Sequence, residues 1–155
     1  MGMIERVNEL ISDGKPCFVS KAIQPTFDWN IVVNHLAYCA DNGYGEPIGI
    51  LNYKLVGAGD IPQIKIVLEY LNENLSKTVI GADLITTLKS TDDSIVYSGK
   101  NDVLIWNVIG FSNLVIKDGD SRDLEPGDLI FIPKETEYIV KPESPRAFVL
   151  FSLEQ

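Results

Sequence analysis

With 13 Lys and Arg against 22 Asp and Glu in 155 residues, the chain carries a net charge of −9, which repels nucleic-acid backbones and anionic membranes rather than recruiting them. At this length, with 45% hydrophobic residues, it can bury a core without disulfide or metal staples, and one domain over residues 1–155 is expected. Cys17 and Cys39 lie in apolar stretches without CxxC spacing and read as free buried thiols, not as a metal or redox pair.

The opening MGMIERVNELISDG has early acids and no long apolar run, so it reads as neither a signal peptide nor a membrane span. Gly2 is not a myristoylation acceptor, because Arg6 stands where Ser or Thr is wanted. A cytoplasmic protein is expected. Ile4, Val7, Leu10 and Ile11 predict a short amphipathic helix that Gly14 ends, followed by a strand from Cys17 to Ile23. Trp29, Val32, Val33, Leu36 and Ala40 predict a second helix, capped by Thr26 or Asp28 and stopped by Asn42 and Gly43. A turn is expected at GYGEPIG and a strand from Ile48 to Val56; Pro62 then opens a third helix with the stripe Ile64, Val67, Leu68, Leu71 and Leu75.

From Asp83 the pattern changes to short β-branched and aromatic runs: DLITTLKS, SIVYS, VLIWNVI, NLVIK, DLIFIP, EYIVK and RAFVLFSL, separated by DG and PGD turns. Helices in residues 1–80 and strands in 81–155 predict an α+β barrel or sandwich.

EPGDLIFIPKETEYIV, Glu125 to Val140, resembles the second conserved motif of the cupins, with Gly127 and Pro133 at the family's spacing before a histidine ligand. Ala82 to Gly110 is similar to the matching stretch of JmjC-like hydroxylases, where Asp102, Asn107 and Gly110 take their places. The resemblance implies a cupin-type double-stranded β-helix, a jelly-roll barrel, with the N-terminal helices packed on it. It also implies where iron and 2-oxoglutarate would bind, and there the residues differ. The family's iron is held by two histidines and a carboxylate; these positions fall on Tyr97, Tyr138 and Gly99. The lysine that pairs with 2-oxoglutarate falls on Ser112, and His35, the only histidine, lies in a helix far along the chain.

The reading is therefore a non-catalytic binding or protein-interaction module, with no cofactor and no metal. Its candidate degenerate pocket is Tyr97, Asn107, Ser112 and Tyr138. The alternatives are a cupin-type enzyme with a carboxylate and tyrosine site, or a structural component of a larger assembly. His35 with Cys39, the acids Asp118, Asp120, Asp123 and Glu125, and Glu135 with Glu137 each read first as structural or solvated groups. Ile31, Tyr38, Ile66 and Tyr70 project away from the helices' main stripes, which predicts a homodimer surface or a protein partner there.

Overall fold

The computed structural model describes residues 2–43, 45–49, 52–88 and 96–154. Helix α1 (Met3–Asp13) buries Val7 and Ile11 and ends at Gly14, whose φ of 67° is the left-handed cap that glycine adopts without strain. Strand β1 (Cys17–Val19) is shorter than its sequence suggests. Lys21 takes a positive φ and donates its N–H to Asp128 Oδ1 at 2.9 Å, so the chain turns out of the sheet before Ile23.

Asp28 caps α2 (Trp29–Asn42), its Oδ1 accepting the Ile31 N–H at 3.1 Å. The helix buries Val32, His35 and Cys39, a face rotated from the expected stripe. Val33 is 53% exposed and Ala40 is exposed. Hydropathy scores His35 as polar, but the Val56 carbonyl meets its Nε2 at 3.1 Å and so makes burial tolerable.

In place of one strand from Ile48 to Val56 there is a hairpin of β2 (Gly45–Gly49) and β3 (Asn52–Leu55), so the expected GYGEPIG turn is largely strand. A 3-10 turn (Ala58–Asp60) leads into α3 (Pro62–Asn74), which buries Ile64, Val67 and Leu71 as predicted.

The remaining strands are β4 (Val79–Thr87), β5 (Val96–Tyr97), β6 (Val103–Ile109), β7 (Ser112–Ile116), β8 (Ser121–Leu124), β9 (Leu129–Ile132), β10 (Tyr138–Pro142) and β11 (Arg146–Leu153). Only β8 has no counterpart in the sequence reading. Three of its four residues are exposed, so no apolar alternation marks it.

The strands pair antiparallel in two sheets of orders β1-β9-β6-β11-β4-β3-β2 and β5-β10-β7-β8. Their inner faces share one core, in which Ile85, Ile105, Ile130 and Phe148 meet Leu114, Leu124, Tyr138 and Val140. The outer face of the larger sheet carries Leu84, Leu104, Trp106, Phe131 and Phe151 into a second core with Val7, Val32, Ile64 and Leu71 of the helices. Burial on both faces explains why runs such as VLIWNVI show no alternation. The architecture is the expected jelly-roll barrel with N-terminal helices packed on it. Strands β1, β2 and β3 come from residues 1–80 and join the larger sheet.

Candidate functional site

Strands β4, β5, β6, β7, β10 and β11 each aim a polar side chain into the barrel. Tyr97 on β5 and Tyr138 on β10 are direct cross-strand partners, and their rings stack with centroids 5.3 Å apart and planes 17° off parallel. Tyr97 also meets Phe148 edge-on at 6.4 Å. Above this pair lies a cavity of about 380 Å³ at the barrel mouth, lined by Asp83, Tyr97, Lys100, Val103, Tyr138 and Leu150. Burial pushes the Tyr138 phenol well up, and the neighbouring Tyr97 adds to it, so this phenol stays neutral.

Deeper inside is Arg146, on the same face of β11 as Leu150 and roughly 13 Å along the strand from it. It is 1% exposed. Its Nε donates to Thr87 Oγ1 and its Nη1 to Ser112 Oγ, both at 3.3 Å, and the guanidinium lies 4.8 Å from the Phe148 ring centre. Among the described residues no carboxylate meets it; both hydroxyls and the ring are neutral. Burial lowers its pKa to about 10, partly offset by Tyr97, so the group is still a cation at neutral pH.

Asn107 Oδ1 is a buried acceptor with no hydrogen-bond partner among the described residues, and the buried Tyr97 Oη lies against the Arg146 guanidinium. Burial raises the Tyr97 pKa and outweighs the charge and the hydrogen-bonding contact of the Arg146 guanidinium beside it, which lower it. Asn107 is fully buried opposite Phe148, and its Nδ2 donates to the Gly110 carbonyl at 2.9 Å.

No family model matches the chain, and no curated protein sequence matches it. Among solved structures, the ribosomal oxygenase YcfD of Escherichia coli in complex with cobalt and 2-oxoglutarate superposes on 91% of this chain with a TM-score of 0.71 at 12% identity. A further structure of E. coli YcfD covers 95% with a TM-score of 0.74 at 10% identity. Salicylate 1,2-dioxygenase from Pseudoaminobacter salicylatoxidans covers 81% with a TM-score of 0.54 at 12% identity.

The fold is the cupin/JmjC double-stranded β-helix. At these identities the likeness shows the fold alone. The chain spans about half the length of the YcfD structures, 48% and 52%, and 32% of the dioxygenase.

Of the four residues singled out in the sequence, Tyr97 and Tyr138 line the mouth cavity together, Ser112 accepts from Arg146, and Asn107 lies on β6 opposite Phe148. One expectation is corrected: the loss of the lysine at Ser112 does not leave that place without a cation, because Arg146 reaches Ser112 from β11.

Arg146 itself was missed. It opens the run RAFVLFSL, whose positions are apolar on both faces of the strand, so nothing in the sequence told which face looks into the barrel.

The other candidates lie elsewhere. His35 Nε2 is 3.6 Å from Cys39 Sγ, but Cys39 is fully buried and burial raises its thiol pKa, so the pair offers no accessible nucleophile. Glu137 pairs with Lys117 at 3.0 Å on the surface, Glu135 is exposed, and Asp123 accepts from Asn113 at 2.9 Å. Among the described residues no three His, Cys, Asp or Glu side chains gather as a metal site. No helix of the described residues is long and apolar enough to cross a membrane.

Proposed function

We propose that this chain is a non-catalytic cupin-fold binding protein whose barrel takes a small carboxylate or other oxyanion, with Arg146 as its anchor. The observation that carries this is a guanidinium 1% exposed in the barrel with only neutral partners among the described residues. A cation held away from water without a counter-charge is costly, and a bound anion supplies that charge. Entry is from the mouth cavity, which Tyr97 and Tyr138 line.

The fold family's iron does not fit the residues present. The two positions assigned to histidines by resemblance hold stacked, neutral phenols, and Gly99 offers no carboxylate. The mechanism is therefore binding: Arg146, Ser112 and Thr87 orient the anionic end, and the Tyr97–Tyr138 pair excludes water above it.

Calorimetric titration tests both halves. Small carboxylates are expected to bind the wild-type protein one-to-one and to lose binding in Arg146→Met. Fe(II) and Mn(II) are expected to give no tight binding. Micromolar, one-to-one metal binding that perturbs the Tyr97 or Tyr138 resonances would overturn the non-catalytic reading.

A further inference from the structure

The larger sheet ends at β1 and the smaller at β8, and among the described residues no backbone ladder joins these two edge strands. Strand register shows what each edge turns toward the barrel interior. Phe18 on β1 stands opposite Ile130, and Arg122 on β8 stands opposite Leu114. Directly opposed residues share a face, and Ile130 and Leu114 belong to the core between the sheets, so Phe18 and Arg122 also point inward. They meet across the seam, with the Arg122 guanidinium 4.9 Å from the centre of the Phe18 ring.

Both residues line a cavity of about 330 Å³ that shares no residue with the one at the barrel mouth. Its apolar walls come from both sheets, Phe18 and Ile130 from the larger, Leu114 and Ile116 from the smaller. Leu114 and Ile130 are 1% exposed, whereas Phe18 and Ile116 are half-buried, so apolar surface runs from the core out to water. The exposed groups lining the cavity are charged: Lys15, Arg122 and Asp120. Among the described residues neither cation forms an ion pair, with Asp120 or with any other carboxylate. Two cations against one carboxylate give this spot a positive balance in a chain of net charge −9. The volume lies within the roughly 300–1,000 Å³ of small-molecule sites.

We propose that this seam is a second binding site, for an amphipathic monocarboxylate whose alkyl chain lies between the two sheets and whose carboxylate meets Arg122 and Lys15. The proposal does not depend on the anion reading at Arg146. An alkyl chain suits walls that offer only apolar side chains, and burying it there removes apolar surface of chain and protein from water together. A dicarboxylate would set its second charge against those walls without a partner. An ammonium head would face two like charges. Arg122 has a simpler use as well, since an inward-pointing charge on an edge strand discourages another chain from pairing there. That use requires neither the cavity nor Lys15, and it predicts no ligand.

The test titrates the full chain with octanoate, hexanoate and octylammonium, following methyl resonances of Leu114 and Ile130 for the seam and of Val103 and Leu150 for the mouth. Octanoate is expected to shift the seam resonances and to bind there about tenfold tighter than hexanoate, since a buried methylene contributes up to roughly a factor of four. Octylammonium is expected to leave them in place. Arg122→Glu, at an exposed position, is expected to weaken octanoate about tenfold and to make octylammonium the preferred ligand. The wild-type series decides the matter even if Arg122→Glu fails to fold. Equal affinity for octanoate and octylammonium overturns the proposal, and so do octanoate shifts confined to Val103 and Leu150. Absence of octanoate binding at millimolar concentration overturns it too and leaves Arg122 as a guard of the strand edge.

Discussion

Arg146 is the residue at which fold stability and binding pull in opposite directions. Its pKa falls from the usual arginine range to about 10 through burial, which corresponds to a cost on the order of 3 kcal/mol for keeping the charge inside at neutral pH. Two hydroxyl partners return part of that, about 1 kcal/mol each. Because the folded pKa lies below the unfolded one, the cost is fully present below about pH 10 and fades as the pH rises from there toward the unfolded arginine's value. Arg146→Met fills similar volume without the charge, so its denaturant midpoint is expected at or above that of wild type, by about 1 kcal/mol. A loss of more than about 2 kcal/mol would instead make Arg146 a structural plug. The sequence was informative about Tyr97, Tyr138, Ser112 and Asn107 because motif spacing locates strand positions whatever residue fills them. It was silent about the arginine because contacts across the barrel, such as Arg146 to Ser112, have no local signature.

At the scale of elements, legibility followed exposure. Strands with a run of β-branched or aromatic residues were found within a few positions, whereas β8, with the sequence SRDL and one buried residue, was not. Helix α2 was placed but rotated, since a buried histidine with a carbonyl partner looks polar until the partner is known. Two glycines beside the site separate backbone strain from lack of room. Gly127 has φ of 101°, yet an added Cβ would meet nothing closer than 3.4 Å; Gly110 has φ of 75° and would set a Cβ 2.2 Å from the Pro145 carbonyl oxygen. Gly127→Ala is therefore expected to lose about 1–2 kcal/mol from backbone strain alone. Gly110→Ala should lose clearly more, about 3 kcal/mol or above, because the turn before Arg146 must also move. Urea unfolding of the two variants checks the order, and equal losses would mean that the β6–β7 turn gives way freely.

At the scale of the molecule, the helical layer leaves apolar surface that neither core consumes. Tyr38 is 53% exposed, Ile66 68% and Tyr70 42%, while Ile31, expected to join them, is half-buried against the helix–sheet core. Ile31 and Tyr38 instead line a groove of about 490 Å³ that α2 forms with the start of α3, where Pro62 and Gln63 line it. Ile66 and Tyr70 continue from Gln63 at helical spacing, so groove and exposed ridge form one face. We propose this face as the surface on which a second copy docks, aromatic rings burying apolar area while their hydroxyls keep polar contacts. A stable two-fold pair needs about 800 Å² from each partner, more than three exposed side chains supply, so the groove walls must take part. With −9 on each copy, long-range repulsion opposes the contact, and added salt is expected to strengthen association rather than weaken it. Light scattering should give a mass near twice 17.2 kDa, rising in population with salt, and Tyr38→Asp combined with Tyr70→Asp should return it to the monomer. A wild-type chain that stays monomeric at high micromolar concentration in both low and high salt would rule out self-association and leave this face to a different protein.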